Sequence, residues 1–337
     1  MPTNGDAELR VVPVRHVGRW VGAAVALVGV AMLVHTLLSK VPTGQVACLV
    51  VNGARRCHPI VNWRFSWNIV FHYFSTRDIL NGLVLTLELT VMAMAVGIVL
   101  GVLIAIMRLS HSRLLSSVAW SYTWFFRGTP VYVQLLFWFN ISALYPSLTL
   151  GIPFTSITFL HINATALFTP ATAAVVALGL NEAAYMSEIA RSGLIAVDEG
   201  QIEAATSIGM TRSQTMRLVV LPQAMRVIIP PTGNEVISML KTTSLAAAIS
   251  VVELLGAAIN IYSANYEIMA LLIVASLWYL IVTTVLSTGQ FYLERHFAKG
   301  SLRTPPPTPL ARLRGDVVGI ARTIRASRGL TRRGATS

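Results

Sequence analysis

Long apolar runs separated by polar connections dominate the chain. A spanning helix needs about 20 predominantly apolar residues. Six runs approach or exceed that length, at residues 21–38, 81–107, 115–139, 166–185, 227–258 and 268–289. A closed barrel would need alternating strands of about ten residues, whereas these runs are continuously apolar. The pattern therefore predicts an all-α, polytopic transmembrane bundle of about six spans.

A polar segment at residues 201–222 separates two of these runs. From position 203 it reads EAATSIGMTRSQTMRLVVLP. Two short helical pieces, 202–208 and 213–220, flank Gly209, which has no Cβ and adopts left-handed backbone conformations readily. The segment therefore predicts a helix–turn–helix that lies outside the bilayer.

The composition agrees with a membrane location. The 337 residues are 54% hydrophobic and only 12% charged, whereas soluble domains average about 25% charged residues. The first apolar run follows Arg10, Arg15 and Arg19 and lacks a clear cleavage site, which favours an uncleaved anchor over a signal peptide.

Basic residues predict the orientation, because loops rich in Lys and Arg stay in the cytoplasm. They occur in the connection after residue 107 and around the 201–222 segment, at Arg108, Arg113, Arg191, Arg212, Arg217 and Arg226. The connections 141–164 and 259–267 contain no Lys or Arg. Both termini are therefore expected in the cytoplasm. The outward segment 39–80 conflicts with this rule because it contains five basic residues, at Lys40, Arg55, Arg56, Arg64 and Arg77.

The expected organisation follows from these patterns. A cytoplasmic tail (1–20) precedes a first transmembrane helix (21–38), an extracytoplasmic segment (39–80), a transmembrane core (81–298) and a basic cytoplasmic tail (299–337). Beyond the extended TPPPTP stretch, the tail is either an interfacial helix on anionic lipid or a disordered segment. No recognised module supports nucleic-acid binding.

The only two cysteines, Cys48 and Cys57, lie nine positions apart in the outward segment. They form either a disulfide that closes this loop or two free thiols. The seven histidines and two cysteines show no ligand spacing, so no metal site is predicted.

The polar segment resembles the EAA loop in membrane subunits of ATP-binding-cassette (ABC) importers. Six residues match that motif: Glu203, Ala204, Ala205, Gly209, Leu221 and Pro222. Val219 departs from it, since the family usually has Ile there, but the two side chains are similar in volume.

Further motifs, in order from about residue 67 to 296, resemble the branch that imports polar amino acids such as histidine, glutamine, glutamate and arginine. They are Asn81-Gly82 with Thr86 to Leu89, Phe126 to Pro130 with Gln134, Asn181 to Tyr185 with Glu188 and Arg191, and Lys241 to Leu245 with Glu253-Leu254. The helix at 21–38, most of the segment 39–66 and the tail after Lys299 lie outside this resemblance.

The resemblance implies a permease subunit in a bacterial inner membrane. Its partners would be cytoplasmic ATPase subunits, a second permease copy or homologue, and an extracytoplasmic solute-binding protein. Coupling to the ATPase would involve Glu203, Ala204, Ala205, Gly209, Arg212, Arg217, Leu221 and Pro222. Glu203 is expected near the amino end of its helix, where the dipole favours a carboxylate.

Charged and polar residues inside the apolar runs suggest a substrate pathway. Glu88 lies inside a span, where an ionised carboxylate is costly unless paired. The candidate set is Glu88, Arg127, Gln134, Asn234, Glu235 and Lys241, which supplies both charge signs for a zwitterion. Gly128 and Pro130 are expected to loosen their helix and free carbonyls, and Pro230-Pro231 to break theirs. The alternative is that Glu88, Arg127 and Lys241 neutralise one another or extend to the interface.

Two further patterns concern packing. Glu188 and Arg191, three positions apart, are expected to pair and, with Asn181 and Glu182, to brace the polar segment. Gly82, Gly97 and Gly101 offer a face for close helix packing, either within the subunit or across a dimer.

No G-x-x-x-x-G-K-[ST] motif or nucleophile–base constellation occurs, so the chain is not predicted to be an enzyme. ATP would be used by a partner subunit. An ion-coupled secondary transporter or channel is the alternative, although the internal repeats usual for such proteins are not evident. The pattern leaves open which amino acid is carried.

Overall fold

The computed structural model describes residues 17–51, 54–63, 67–151 and 158–297. The helices are α1 (Val17–Leu38), α2 (Trp67–Phe74), α3 (Arg77–Arg108), α4 (Arg113–Gly128), α5 (Val131–Phe139), α6 (Ile141–Leu144), α7 (Ala164–Leu167), α8 (Pro170–Ile195), α9 (Glu199–Ser207), α10 (Arg212–Thr215), α11 (Leu221–Thr242), α12 (Leu254–Asn265) and α13 (Ile268–Phe297). A π-helical turn, Met216–Val220, joins α10 to α11, and a 3₁₀ segment, Thr243–Ile249, follows α11. The strands are β1 (Lys40–Val51), β2 (Ala54–Trp63), β3 (Ser147–Gly151) and β4 (Thr158–Asn163).

Two of the described helices, α3 and α13, are long and apolar enough to cross a membrane. A third span is possible if Arg212–Ile249 and α12, which meet at a bend of 44°, count as one. In α1 the apolar stretch is shorter, at Gly22–Met32. The membrane character and the helices near 21–38, 81–107 and 268–289 are confirmed, whereas the number of spans stays a prediction.

Two of the expected spans consist of more than one helix, as the residues Gly128 and Pro130 predict for the first of them. The run 115–139 divides into α4 and α5 at Thr129 and Pro130, both of which have extended backbone. The run 227–258 divides into α11, the 3₁₀ segment and α12, with Ser250 in a left-handed conformation at φ 64°. Pro230 and Pro231, by contrast, lie inside an uninterrupted α11. The helix expected at 166–185 begins later, with Pro170 after the N-cap Thr169, and continues to Ile195.

The all-α expectation also needs correction, because two antiparallel strand pairs accompany the helices. Strand β1 pairs with β2, and β3 with β4. The register of the first pair sets Cys48 opposite Cys57. The two residues are therefore direct cross-strand neighbours, and the choice between a disulfide and two free thiols stays open. The tail 299–337 and residues 1–16 lie outside the described part of the chain.

The chain divides into two compact units. One comprises residues 1–75 with Tyr262–Val274, and the other comprises Thr76–Ile261 with the residues from Ala275 onward. In the first, the Asn265 amide donates to the Tyr73 hydroxyl at 3.3 Å. The expected domain bounds stay predictions.

The second unit is built around the contact between α3 and α8. A Cβ added at Gly97 would meet Cγ of Glu182 at 2.5 Å, and one at Gly101 would meet Cβ of Met186 at 2.6 Å. Of the two alternatives for the glycine face, the structure therefore shows packing within the subunit for these two positions. Gly82 packs against Ala257 in the same unit.

A buried carboxylate fixes the start of α12. Glu253 is fully buried and accepts hydrogen bonds from the backbone N–H groups of Leu255 and Gly256, at 3.0 and 2.8 Å. It also accepts from the hydroxyl groups of Tyr279 (2.9 Å) and Thr86 (3.3 Å). The otherwise unpaired N–H groups of the helix start are thus satisfied while α12 is joined to α3 and α13.

Candidate functional site

The interruption between α4 and α5 is stabilised by two side-chain amides. Pro130 lacks the N–H that would otherwise donate to the carbonyl of Phe126, four residues earlier. Instead, Gln134 Nε2 and Asn181 Nδ2 donate to that carbonyl at 3.0 and 2.9 Å. Gln134 is only 5% exposed and also donates to Thr129 Oγ1 at 2.7 Å. The expectation of a loosened helix with a freed carbonyl is confirmed, and Gln134 is placed as its hydrogen-bond donor.

We expect Gln134→Met to lower the free energy of unfolding by about 1–3 kcal/mol, because buried polar groups lose their partners while side-chain length is kept. Thermal unfolding of the detergent-purified protein measures the effect. Gln201→Met, at an exposed position of α9, is the matched control. Equal midpoints for the two variants would contradict this role of Gln134.

A polar cavity lies next to this interruption, between α4, α5, α8 and α11. Its volume is about 530 Å³, and we call it the inner cavity. It is lined by Arg127, Gly128, Thr129, Pro130, Val131, Leu178, Asn181, Glu182, Tyr185, Glu235, Ser238, Met239 and Thr242. One cation, Arg127, therefore faces the same space as two carboxylates, Glu182 and Glu235.

Glu182 lines this cavity, although the sequence pattern predicts a bracing role for it. Glu182 is buried, with only 4% of the residue exposed. Its Oε1 atom has no hydrogen-bond partner among the described residues. A buried carboxyl oxygen without a partner is costly, and Glu182 also lines the cavity, so this residue is a candidate contact for a ligand there. The sequence contained a signal for this position, because Glu182 is an acid inside a predicted span. The same criterion selected Glu88 as a pathway residue.

The structure brings together only part of the predicted pathway set. Arg127 and Glu235 line the inner cavity. Gln134 does not line it but donates a hydrogen bond to Thr129, which does. Asn234 accepts a hydrogen bond from Gln290 at 3.0 Å. Glu88 and Lys241 are exposed, do not line this cavity, and take part in none of the ion pairs among the described residues. Mutual neutralisation of Glu88, Arg127 and Lys241 is therefore not the arrangement within this subunit.

Glu188 instead forms ion pairs with arginines from three helices. The predicted pair with Arg191 is confirmed at 3.1 Å. Arg108, the last residue of α3, contacts the other carboxylate oxygen at 2.6 Å, and Arg127 of α4 lies 3.8 Å from it. These four residues, which we call the Glu188 cluster, join α3, α4 and α8.

The polar segment forms the expected helix–turn–helix, at residues 199–220. Gly209 has φ +84°, which confirms the predicted left-handed reversal. The second helix begins with a capping box, in which Thr211 and Gln214 bond each other's backbone N–H groups. The first helix begins at Glu199 after the N-cap Asp198, so the expectation that Glu203 lies at its amino end was wrong.

This segment leaves apolar side chains uncovered in the subunit. Ile208 is 80% exposed and Leu218 69% exposed. Of the alanine pair, Ala204 is exposed, whereas Ala205 is buried at 4%. The other predicted coupling residues, Glu203, Arg212, Arg217, Leu221 and Pro222, are all exposed. Exposed apolar groups that are rimmed by polar ones mark an interaction surface.

A helical membrane bundle with a charged inner cavity and an uncovered polar segment has the construction of a transport permease. A family model described as the binding-protein-dependent transport system inner membrane component matches residues 97–299. The chain belongs to this family.

Individual relatives agree. The chain is 45% identical, over 302 residues, to the arginine transport system permease protein ArgU of Corynebacterium glutamicum, covering 89% of this chain and 87% of that protein. It is 38% identical to the nopaline transport system permease protein NocM of Agrobacterium fabrum, covering 63% of this chain and 86% of the relative. A crystal structure of an amino acid ABC transporter with histidines is 35% identical, covers 68% of this chain and 98% of its own, and has a TM-score of 0.59.

The predicted resemblance to permease subunits of amino-acid ABC importers is thereby confirmed. The family consists of membrane subunits, and the ATPase is a separate polypeptide. The chain is therefore a transport subunit rather than an enzyme. Membership of this family favours the ATP-driven importer over the ion-coupled alternative.

Proposed function

We propose that the inner cavity is the amino-acid site of the translocation pathway, and that it prefers an amino acid with a cationic side chain. The observation that supports this most directly is that one arginine, Arg127, and two acids, Glu182 and Glu235, line the same cavity. Arg127 would bind the substrate carboxylate, and the two acids would bind the α-ammonium and the side-chain cation. A volume of about 530 Å³ falls within the usual range of ligand pockets, about 300–1,000 Å³.

The charge balance decides the substrate class. When both acids are ionised, one arginine and two glutamates leave one negative charge over, which a cationic amino acid neutralises and an acidic one would double. An acidic substrate would place like charges together at high cost in a partly dry site. The similarity to a protein named for arginine transport agrees with this choice, and arginine is the substrate proposed.

The helix–turn–helix segment would connect this site to ATP hydrolysis. Its exposed apolar groups and the small Ala204 fit a cleft on a cytoplasmic ATPase, while Arg212 and Arg217 add charge contacts at the rim. The complete importer would contain two permease subunits, two ATPases and an extracytoplasmic solute-binding protein. Six spans in a bacterial inner membrane, with both termini cytoplasmic, complete the proposed topology.

Uptake into proteoliposomes tests the site. The complex that co-purifies with this chain is reconstituted with ATP on the ATPase side, and labelled arginine, glutamate, glutamine and histidine are compared. We expect arginine to be preferred, and Glu182→Gln and Glu235→Gln each to raise the KM for arginine roughly tenfold or more, as loss of a charged hydrogen bond implies. Asp78→Asn, an exposed acid that does not line the cavity, is the control.

Two results would contradict the proposal. A preference for glutamate would reverse the charge argument. Uptake that ignores ATP would instead support the ion-coupled alternative.

A further inference from the structure

A second groove lies on the other side of Arg127 and Tyr185, which line both it and the inner cavity. Its volume is about 380 Å³, and we call it the outer groove. Arg108, Glu188, Trp120 and Trp124 contribute the rest of the lining that matters here. The proposed transport cycle uses Arg127 from the inner cavity, but it gives no role to Arg108, Trp120 or Trp124.

The first selective property is an excess of positive charge. Arg108 and Arg191 both hydrogen-bond to Glu188, at 2.6 and 3.1 Å. Arg127 is 3.8 Å from the same carboxylate, which is beyond hydrogen-bonding distance. Among the residues that line the groove, two guanidinium groups, those of Arg108 and Arg127, therefore accompany one carboxylate, that of Glu188.

The second property is that the N–H donors of the Arg127 guanidinium are not used in hydrogen bonds to the described residues. Its side chain is 45% exposed, and its guanidinium lies over the Tyr185 ring, 5.3 Å from the ring centre. Among the described residues it has no hydrogen-bond acceptor. A guanidinium carries five N–H donors in a planar fork that matches the oxygens of a phosphate or a carboxylate. An anion in the outer groove would satisfy them.

The third property is a pair of tryptophans at the groove edge. Trp120 and Trp124, one turn apart on α4, are stacked with their ring centres 6.3 Å apart and are 53% and 66% exposed. Helix α4 has 16 residues, a length of about 24 Å, and is by itself shorter than a full span. Exposed tryptophans on such a helix are typical of the depth at which lipid headgroups meet acyl chains.

We propose that the outer groove binds the phosphate of an anionic phospholipid. Arg127 and Arg108 would contact the phosphate oxygens, and the tryptophan pair would lie along the glycerol and upper acyl chain. The leaflet would be the cytoplasmic one, since the α3–α4 connection with Arg108 and Arg113 is on the side that the charge rule assigns to the cytoplasm. Basic pockets between helices at this depth match the charge of anionic headgroups.

Fluorescence quenching by brominated lipids tests this proposal. The complete complex is placed in nanodiscs of phosphatidylcholine and phosphatidylglycerol, with bromine near the carboxyl end of the acyl chain in only one of the two lipids. The chain has seven tryptophans, so the signal of interest is the quenching lost in Trp120→Phe/Trp124→Phe. We expect brominated phosphatidylglycerol to associate with this pair about fivefold more strongly than brominated phosphatidylcholine, given the charge excess.

Arginine variants show whether the groove is responsible. Arg108→Gln and Arg127→Gln should each reduce the preference towards equal association. Arg127→Gln is the decisive variant, because Arg108 has structural bonds to Glu188 and Thr123, whereas Arg127 makes no hydrogen bond within the described residues. Arg113→Gln, an exposed arginine at the start of α4 outside the groove, is the matched control and should keep the full preference.

Several outcomes would overturn the proposal. Equal quenching by both lipids, or a preference that survives Arg127→Gln, would show that the arginines do not select an anionic lipid. No quenching of the pair by either lipid would indicate that a second permease copy covers the groove. A preference abolished by millimolar inorganic phosphate at constant ionic strength would assign the site to the free anion.

Discussion

Gly101→Leu is expected to prevent accumulation of correctly folded permease in the membrane. Even a single added Cβ would lie 2.6 Å from Cβ of Met186 and 3.0 Å from the carbonyl oxygen of Ala183. Ala183 is fully buried and its backbone is held in α8, so neither neighbour can move without separating α3 from α8. Overpacking usually costs about 1–3 kcal/mol, and displacing a backbone is expected to exceed that range.

Membrane yield and the thermal unfolding midpoint in detergent measure this effect. Gly289→Leu is the matched control, because a Cβ at Gly289 in α13 meets nothing within 4 Å. We expect the control to match the wild type. If Gly101→Leu unfolded at the same midpoint as the control, the close α3–α8 approach would not be a determinant of the fold.

Gly209→Val is expected to abolish most ATP-driven uptake while leaving the stability of the bundle nearly unchanged. No atom lies within 4 Å of a Cβ at Gly209, so the substitution causes no clash. The backbone at φ +84° is nevertheless unfavourable for a β-branched residue, by roughly 1–2 kcal/mol or more. The turn would relax, α9 and α10 would change their relative orientation, and the surface proposed to meet the ATPase would be lost.

Substrate-stimulated ATP hydrolysis and uptake by the reconstituted complex measure the coupling, and we expect a decrease of about tenfold or more. Gly209→Asn is the matched control, because asparagine tolerates left-handed conformations, and it should retain most activity. Wild-type coupling in the Gly209→Val variant would show that the left-handed turn is not required for coupling to ATP hydrolysis.

Local chemistry explains which parts of the structure were predictable. Gly209 specifies its own backbone conformation, and Glu188 and Arg191 are three positions apart on one helix, so both features could be inferred from adjacent residues. The β1–β2 pair also had a local signal in the sequence. Asn52-Gly53 is a typical hairpin dipeptide and lies between apolar residues.

Only some of the residues that line the inner cavity could be predicted from the sequence. The reason is that an apolar run does not reveal which face of a helix points inward. Glu88 and Glu182 both satisfy the criterion of an acid inside a span, yet one is exposed and the other lines the cavity. Likewise, the residue in a left-handed conformation at the bend within the run 227–258 is a serine, Ser250. A serine does not indicate that conformation in the sequence as Gly209 does.

The Glu188 cluster constrains how this chain can diverge. One carboxylate compensates guanidinium groups from three helices, so a change at that single position leaves three like charges facing one another. The reverse changes are milder, because loss of one arginine still leaves two partners for the carboxylate. Natural variation should therefore be one-directional: lineages can lose an arginine first, and only those that have done so can afterwards replace Glu188.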